Sequence, residues 1–316
     1  MRKKINEMKE NDRLTQPLLV KDCRNGTTSK GSPYLNLVLQ DSSGTIDAKF
    51  WDVKPEARKM IHTGAICTFT FEVILYNKNL QLRINRVSQT DPAGVSLDEF
   101  VISSGESEEV RRNKAEQFIA SIQNDNYRML VEGMLEKVGL RYFSYPAASR
   151  IHHGYLGGLS EHSLSMAEIA DGICRHYPFL DRDLLIAGAL IHDVGKTAEM
   201  SGPVTTEYTL EGRLEGHISL ANGWLTEVSE KLGLEETEEA VLLHHMILSH
   251  HGHYEYGSPV LPMLAEAEAL STIDNLDARM NTLKNAFDTT APGTWTERMF
   301  SMENRQFYRP KKNGGK

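Results

Sequence analysis

Cysteine is scarce in this chain. Cys23, Cys67 and Cys174 are scattered over 316 residues, odd in number and without a CxxC pair. That argues against a disulfide framework or a thiolate-bound zinc site, and leads us to expect a reducing, cytoplasmic setting. An apolar run of about 18 residues is also missing, so neither a transmembrane helix nor a membrane partner is expected. Met1 to Arg13 is charged and lacks the apolar stretch of a secretory signal. No internal repeat is visible. What is there is the composition of an ordinary folded protein, 40% hydrophobic and 25% charged, long enough for two domains.

The net charge of −8 is unevenly spread: residues 1–90 hold 15 Lys and Arg against 9 Asp and Glu, a net of +6, and the remainder carries −14. A basic module on an acidic body suits a nucleic-acid-binding appendage, although chance asymmetry of a solvated surface gives the same numbers. Residues 14 to 90 read as strands. Tyr34 to Gln40 and Thr45 to Asp52 flank the turn Asp41-Ser42-Ser43-Gly44, and Cys67 to Tyr76 and Leu80 to Val87 flank Asn77-Lys78-Asn79. With a helix near Pro55 to Ile61, this predicts a small OB-type β-barrel over residues 1–90. Residues 91–107 read as a linker. Residues 108–288 carry helical periodicity at Ala115 to Ile122, Tyr127 to Val138, His162 to His176, Asp183 to His192, Glu215 to Leu232, Glu236 to His250 and Pro262 to Phe287. The fold class expected is therefore multidomain, a barrel followed by an all-α bundle. Residues 289–316 are expected to be a partly disordered extension.

The helices place chemistry. His192-Asp193 sits side by side at a helix end, with His162 upstream and His217, His250-His251 and Asp274 downstream. Helix positions that each offer an imidazole or carboxylate can converge in a bundle core. Asp193 can bridge two ions. One would take His162, His192, Asp193 and Asp274, the other Asp193, His217, His250 and His251. Two divalent ions about 3.5–4 Å apart clamp an in-line phosphoryl displacement. Oxygen and imidazole donors suit Mn²⁺, Mg²⁺, Fe²⁺ or Zn²⁺. This ordered pattern resembles the HD-domain phosphohydrolase superfamily, H…HD…H…HH…D. The resemblance selects Asp274 as ligand over Asp277, which lies on the same helix face. His244-His245 lies mid-helix and is expected to pack or face solvent.

Other residues could handle phosphate. His152 and His153 precede His162 in a glycine-containing loop and could bind the scissile phosphate or protonate the leaving oxygen; an exposed loop is the plainer reading. Lys196 could neutralise a phosphoryl oxygen, as could Arg279, or Lys196 could simply favour a helix C-terminus. On the barrel, Tyr34, Phe50, Trp51, Phe69, Phe71 and Tyr76 are the aromatics, with Lys30, Lys49, Lys78, Arg83 and Arg86 among them. Strand alternation sends about half of the aromatics inward, so Phe50 and Trp51 cannot both be core. We take Tyr34, Lys49, Phe50, Trp51, Tyr76 and Arg83 as the candidate nucleic-acid surface.

The order of barrel and metal motif resembles the YhaM family of bacterial 3′→5′ exoribonucleases. The carrying motifs are Tyr34-Leu35-Asn36-Leu37, Ala48-Lys49-Phe50-Trp51-Asp52, His152-His153 with Gly157-Gly158-Leu159 and His162, His192-Asp193-Val194-Gly195-Lys196, Ser249-His250-His251-Gly252 and Ile273-Asp274-Asn275-Leu276-Asp277. The resemblance implies Mn²⁺-dependent release of nucleoside 5′-monophosphates from the 3′ end of single-stranded RNA, and of single-stranded DNA, by a cytoplasmic homo-oligomer. Catalytic roles would fall to Asp193, Lys196, His152 and His153. Two rivals fit the same residues: a phosphodiesterase or phosphatase for small nucleotides or cyclic dinucleotides, and a non-catalytic RNA-binding adaptor. Preference for small substrates marks the first, metal content without turnover the second.

Overall fold

The computed structural model describes residues 2–27, 31–77, 79–91, 95–101, 104–147, 155–202 and 206–311. The chain divides into two compact units, Met1–Ser103 and Ser104–Lys316.

Alternation of apolar and polar residues builds the first unit. On β2 (Pro33–Asp41), Leu35, Leu37 and Leu39 are buried while Asn36, Val38 and Gln40 between them are partly exposed. The same period closes β1 (Arg13–Thr27), β2, β3 (Gly44–Trp51), β4 (Ile66–Tyr76) and β5 (Asn79–Gln89) into a barrel of order β1-β2-β3-β5-β4, with α1 (Pro55–Met60) between β3 and β4. β3 and β5 pair in parallel, the other neighbours antiparallel. Closure leaves no open edge, and the five-stranded barrel is of the OB type expected. Leu18, Phe69, Phe71 and Leu82 fill its interior. Asp41 turns β2 into β3: Oδ1 accepts from Ser43 N at 2.7 Å and Oγ at 2.6 Å, and Oδ2 from Ile5 N at 2.8 Å. A buried carboxylate with three donors is satisfied. Part of the segment expected as linker packs on this unit. Gln40 Nε2 donates to Phe100 O at 3.0 Å, and Phe100 and Val101 are buried.

The second unit is helical: α2 (Glu108–Ser121), α3 (Asp125–Val138), α4 (Arg141–Ser144), α5 (Gly158–His176), α6 (Arg182–Ile191), α7 (Lys196–Glu199), α8 (Leu210–Leu214), α9 (Gly216–Leu232), α10 (Glu238–Ser249) and α11 (Ala265–Thr289). The short α4, α7 and α8 leave no periodicity to read in the sequence. Every residue of α6 from Leu184 to Ile191 is buried, and a helix apolar all round belongs at the centre of a bundle. It packs on α3, α5, α10 and α11. Asp181 starts it, its Oδ1 accepting from Asp183 N at 2.9 Å and Leu184 N at 3.2 Å. After α11, β6 (Thr294–Trp295) pairs antiparallel with β7 (Tyr308–Arg309), and Thr296 and Met302 are buried there. No described helix is long and apolar enough to cross a membrane.

Candidate metal centre

Helix ends deliver the donors. His162 stands in the second turn of α5, and His192, which caps α6, is followed by Asp193. His217 opens α9, His250 caps α10 with His251 after it, and Asp274 lies in α11. Gly195 makes this convergence possible. Its backbone has helical angles and caps the start of α7. A Cβ there would lie 2.1 Å from the carbonyl oxygen of His217. Only a glycine lets the first turn of α9 approach so closely, and that approach sets His217 beside Asp193.

All five imidazoles are turned the same way. Nδ1 lies against Asp277 Oδ2 in His162 (2.7 Å), Ala189 O in His192 (3.1 Å), Glu199 Oε1 in His217 (3.0 Å), Ile247 O in His250 (2.7 Å) and Tyr256 O in His251 (2.6 Å). A carbonyl or carboxylate can only accept, so each Nδ1 donates, and in a neutral ring Nε2 is left as a lone pair. These lone pairs point at more acceptors. From Asp193 Oδ2, His192 Nε2 is 3.3 Å away; from Asp193 Oδ1, His217 Nε2 is 3.5 Å and His250 Nε2 3.6 Å. Nε2 of His192, His217 and His250 and Oδ1 of Asp193 are buried without a hydrogen-bond donor. Acceptor facing acceptor in a buried centre is costly unless a cation stands between them. The donor atoms group as His162, His192 and Asp193; His192, His250 and Asp274; and His217, His250 and His251, each set within 4.8 Å. The residues thus fit divalent ions held by nitrogen and oxygen.

The charges agree. At His162 burial opposes protonation, but Asp274, with Oδ1 3.2 Å from Nε2, and Asp277 push its pKa up to about 10. A proton there does the work of a cation. Burial also works against charge on Asp193 and Asp274. Lys196 nevertheless holds the first far below the carboxylate range, and His162 holds the second below it. Burial keeps His250 and His251 neutral, the ligand form, by lowering their pKa.

The structure brings His162, His192, Asp193, His217, His250, His251 and Asp274 together. Lys196 joins them, but its position differs from the helix-end reading. It opens α7, and Nζ lies 2.6 Å from Asp193 Oδ2. His152 and His153 lie outside the described residues, as do Lys30 and Lys78. His244 and His245 are engaged elsewhere, Nδ1 of the first 2.7 Å from Asn222 Oδ1 and Nε2 of the second accepting from Met263 N at 2.9 Å. Three supporting residues were not singled out in the sequence. Glu199 orients His217; Ser165 donates to Asp277, which backs His162. Arg111, buried on α2, donates to Phe143 O at 3.2 Å and Gly157 O at 3.1 Å, tying the start of α5 to the end of α4. Nothing local in the sequence marks them, because each acts on a residue distant in the chain.

On the barrel, Phe50 is buried and Trp51 is 42% exposed. Tyr34 and Trp51 lie with ring centroids 4.5 Å apart, and Lys49 Nζ sits 5.2 Å and 5.5 Å from their centroids. Tyr34 reaches this place over Gly26, where a Cβ would meet its ring at 2.3 Å. Arg83 pairs in register with Lys49 across β3 and β5, but its guanidinium is taken by Glu72. Tyr76 is exposed at the β4–β5 hairpin and makes no described ring contact with this cluster.

Residues 159–279 match the family model described as HD domain. Among solved structures, the second OB-fold domain of replication protein A from Methanococcus maripaludis is similar at 20% identity, with 28% of this chain and 94% of that one covered and a TM-score of 0.24. PriB from Ralstonia solanacearum is similar at 16% identity, with 26% and 98% covered and a TM-score of 0.23. Aspartyl-tRNA synthetase from Entamoeba histolytica is similar at 11% identity, with 54% and 35% covered and a TM-score of 0.23. The chain therefore carries an HD domain in its helical unit, preceded by an OB-type barrel.

Proposed function

We propose that this protein is a divalent-metal-dependent 3′→5′ exoribonuclease, a cytoplasmic homo-oligomer that shortens single-stranded RNA, and single-stranded DNA, to nucleoside 5′-monophosphates. The observation that carries the hydrolase reading is the buried centre in which His192, His217 and His250 aim Nε2 at Asp193 with no donor between. His162, His192, Asp193 and Asp274 would hold one ion, and Asp193, His217, His250 and His251 the other. Mn²⁺ is our choice within a donor set that also accepts Mg²⁺, Fe²⁺ or Zn²⁺. When bound, the ions polarise a phosphoryl oxygen and supply a nucleophile at neutral pH.

The chain's own residues do the rest. Asp193 offers one oxygen to each half of the centre, and Lys196 compensates the charge of Oδ2. Asp277 and Glu199 fix the tautomers of His162 and His217. His152 and His153 are assigned to the scissile phosphate or the leaving oxygen on the sequence alone. Tyr34 and Trp51 give bases a stacking surface, and Lys49 beside them favours the phosphate backbone. Polarity, Mn²⁺ and assembly follow from the resemblance to the YhaM family.

The test is a time course on 5′-end-labelled single-stranded RNA with Mn²⁺, beside Asp193→Ala. A descending ladder with mononucleotide product, absent in the variant while RNA binding persists, is expected. Intact RNA would redirect the assignment to small nucleotides, and turnover by the variant would remove Asp193 from the centre.

A further inference from the structure

A cavity of about 700 Å³ is lined by His250, His251 and Asp274 of the candidate metal centre together with Tyr256, Asn275 and Arg279. Arg279 is the one Lys or Arg among its described lining residues. It lies five residues beyond Asp274 on α11, about 7.5 Å along the helix axis. Its Nη1 meets Glu303 Oε1 at 3.1 Å, leaving the rest of the guanidinium fork unused by that contact. Glu303 belongs to the C-terminal extension and its side chain is 63% exposed. An ion pair with so exposed a carboxylate is worth little and exchanges readily for a better anion. Phosphate is a better anion, since the guanidinium fork matches two of its oxygens. Tyr256, with His253 edge-on at a centroid distance of 5.3 Å, supplies a ring for a base in the same cavity.

We propose that Arg279 binds the non-scissile phosphate next to the bond being cut, and that Glu303 is the counter-ion this phosphate displaces. Arg279 is thereby a specificity residue that favours chains over single phosphodiesters. This rests on the reading of the metal centre as a nucleic-acid phosphodiesterase.

The experiment compares the dinucleoside monophosphate ApA, whose one phosphate is the scissile one, with ApApA, which carries a neighbour. The Mn²⁺-loaded full chain, Arg279→Ala and Glu303→Gln are assayed on both. Arg279→Ala should lose about tenfold in kcat/KM on ApApA, the scale of one charge-assisted contact, and stay within about twofold on ApA. Glu303→Gln should gain on ApApA alone. Equal loss on both substrates, or no loss on either, overturns the proposal. A loss in Glu303→Gln matching that of Arg279→Ala would show a structural brace and overturn it too. Wild type inert on both substrates would refute the phosphodiesterase reading instead. Arg279 is then judged by fluorescence anisotropy of labelled ApApA, where an unchanged affinity in Arg279→Ala overturns its assignment.

Discussion

Histidines make or lose a metal site by their second nitrogen, and Asp277 decides it for His162. Its Oδ2 takes the Nδ1 proton at 2.7 Å, and Oδ1 accepts from Ser165. Asp277→Asn keeps the shape but removes the charge, and can present an amide N–H to the ring. His162 would then turn or change tautomer, and Nε2 would no longer aim at Asp274. Removing such a partner costs about 10–100-fold in metal affinity. We expect Mn²⁺ titration of Asp277→Asn to show that loss for one ion, and the metal-free protein to melt lower as well, because the buried His162 proton loses one of its two carboxylate partners. Unchanged affinity would remove His162 from the ligand set. At this scale the sequence was legible wherever a residue's type announces its chemistry, as with His192-Asp193. Glu199 and Arg111 were not legible, since a lone carboxylate and a lone guanidinium are ordinary surface residues until a partner 18 or 46 positions away is known.

Helix ends carry most of the centre, with Asp274 supplied from the face of α11, and the glycine between α6 and α7 shows how close those ends must come. Gly195 has an ordinary helical φ of −59°, so Gly195→Ala introduces no backbone strain and tests the approach alone. Its Cβ would fall 2.1 Å from His217 O, and α9 must retreat. Overpacking of this kind costs about 1–3 kcal/mol. The site should lose more than the fold, because His217 is carried on the retreating turn and leaves Asp193. The expected outcome is a folded protein by circular dichroism with one ion lost by elemental analysis and turnover gone; full activity would mean that α9 has slack the packing does not show. The long helices and strands were legible here because their periods of 3.6 and 2 are local. The closeness of α7 and α9 was not: a glycine after His-Asp-Val reads equally as a stop signal and as a contact point, and only the backbone opposite it tells which.

The uneven charge along the chain has a consequence for how nucleic acid must be held. The remainder of the chain beyond residue 90 carries a net −14 and disfavours a polyanion overall. On the proposed function, capture of the strand would fall to the basic barrel, and capture and cutting would be energetically separable. Trp51 is the place to separate them. Its ring is exposed beside Tyr34 and its loss opens no core, so Trp51→Ala should leave the barrel folded. Stacking of a base on an aromatic ring is worth about 1–3 kcal/mol, which is roughly 5- to 150-fold in affinity for single-stranded RNA. The same variant should hydrolyse ApA like wild type, since two nucleosides joined at the metal centre need no second holding surface. Lys49→Ala adds the electrostatic half of the argument: it should weaken RNA binding and reduce the slope of log affinity against log salt by about one contact. Were Trp51→Ala to reduce ApA turnover as much as RNA binding, the barrel would be part of the catalytic machinery and capture would not be separable from cutting.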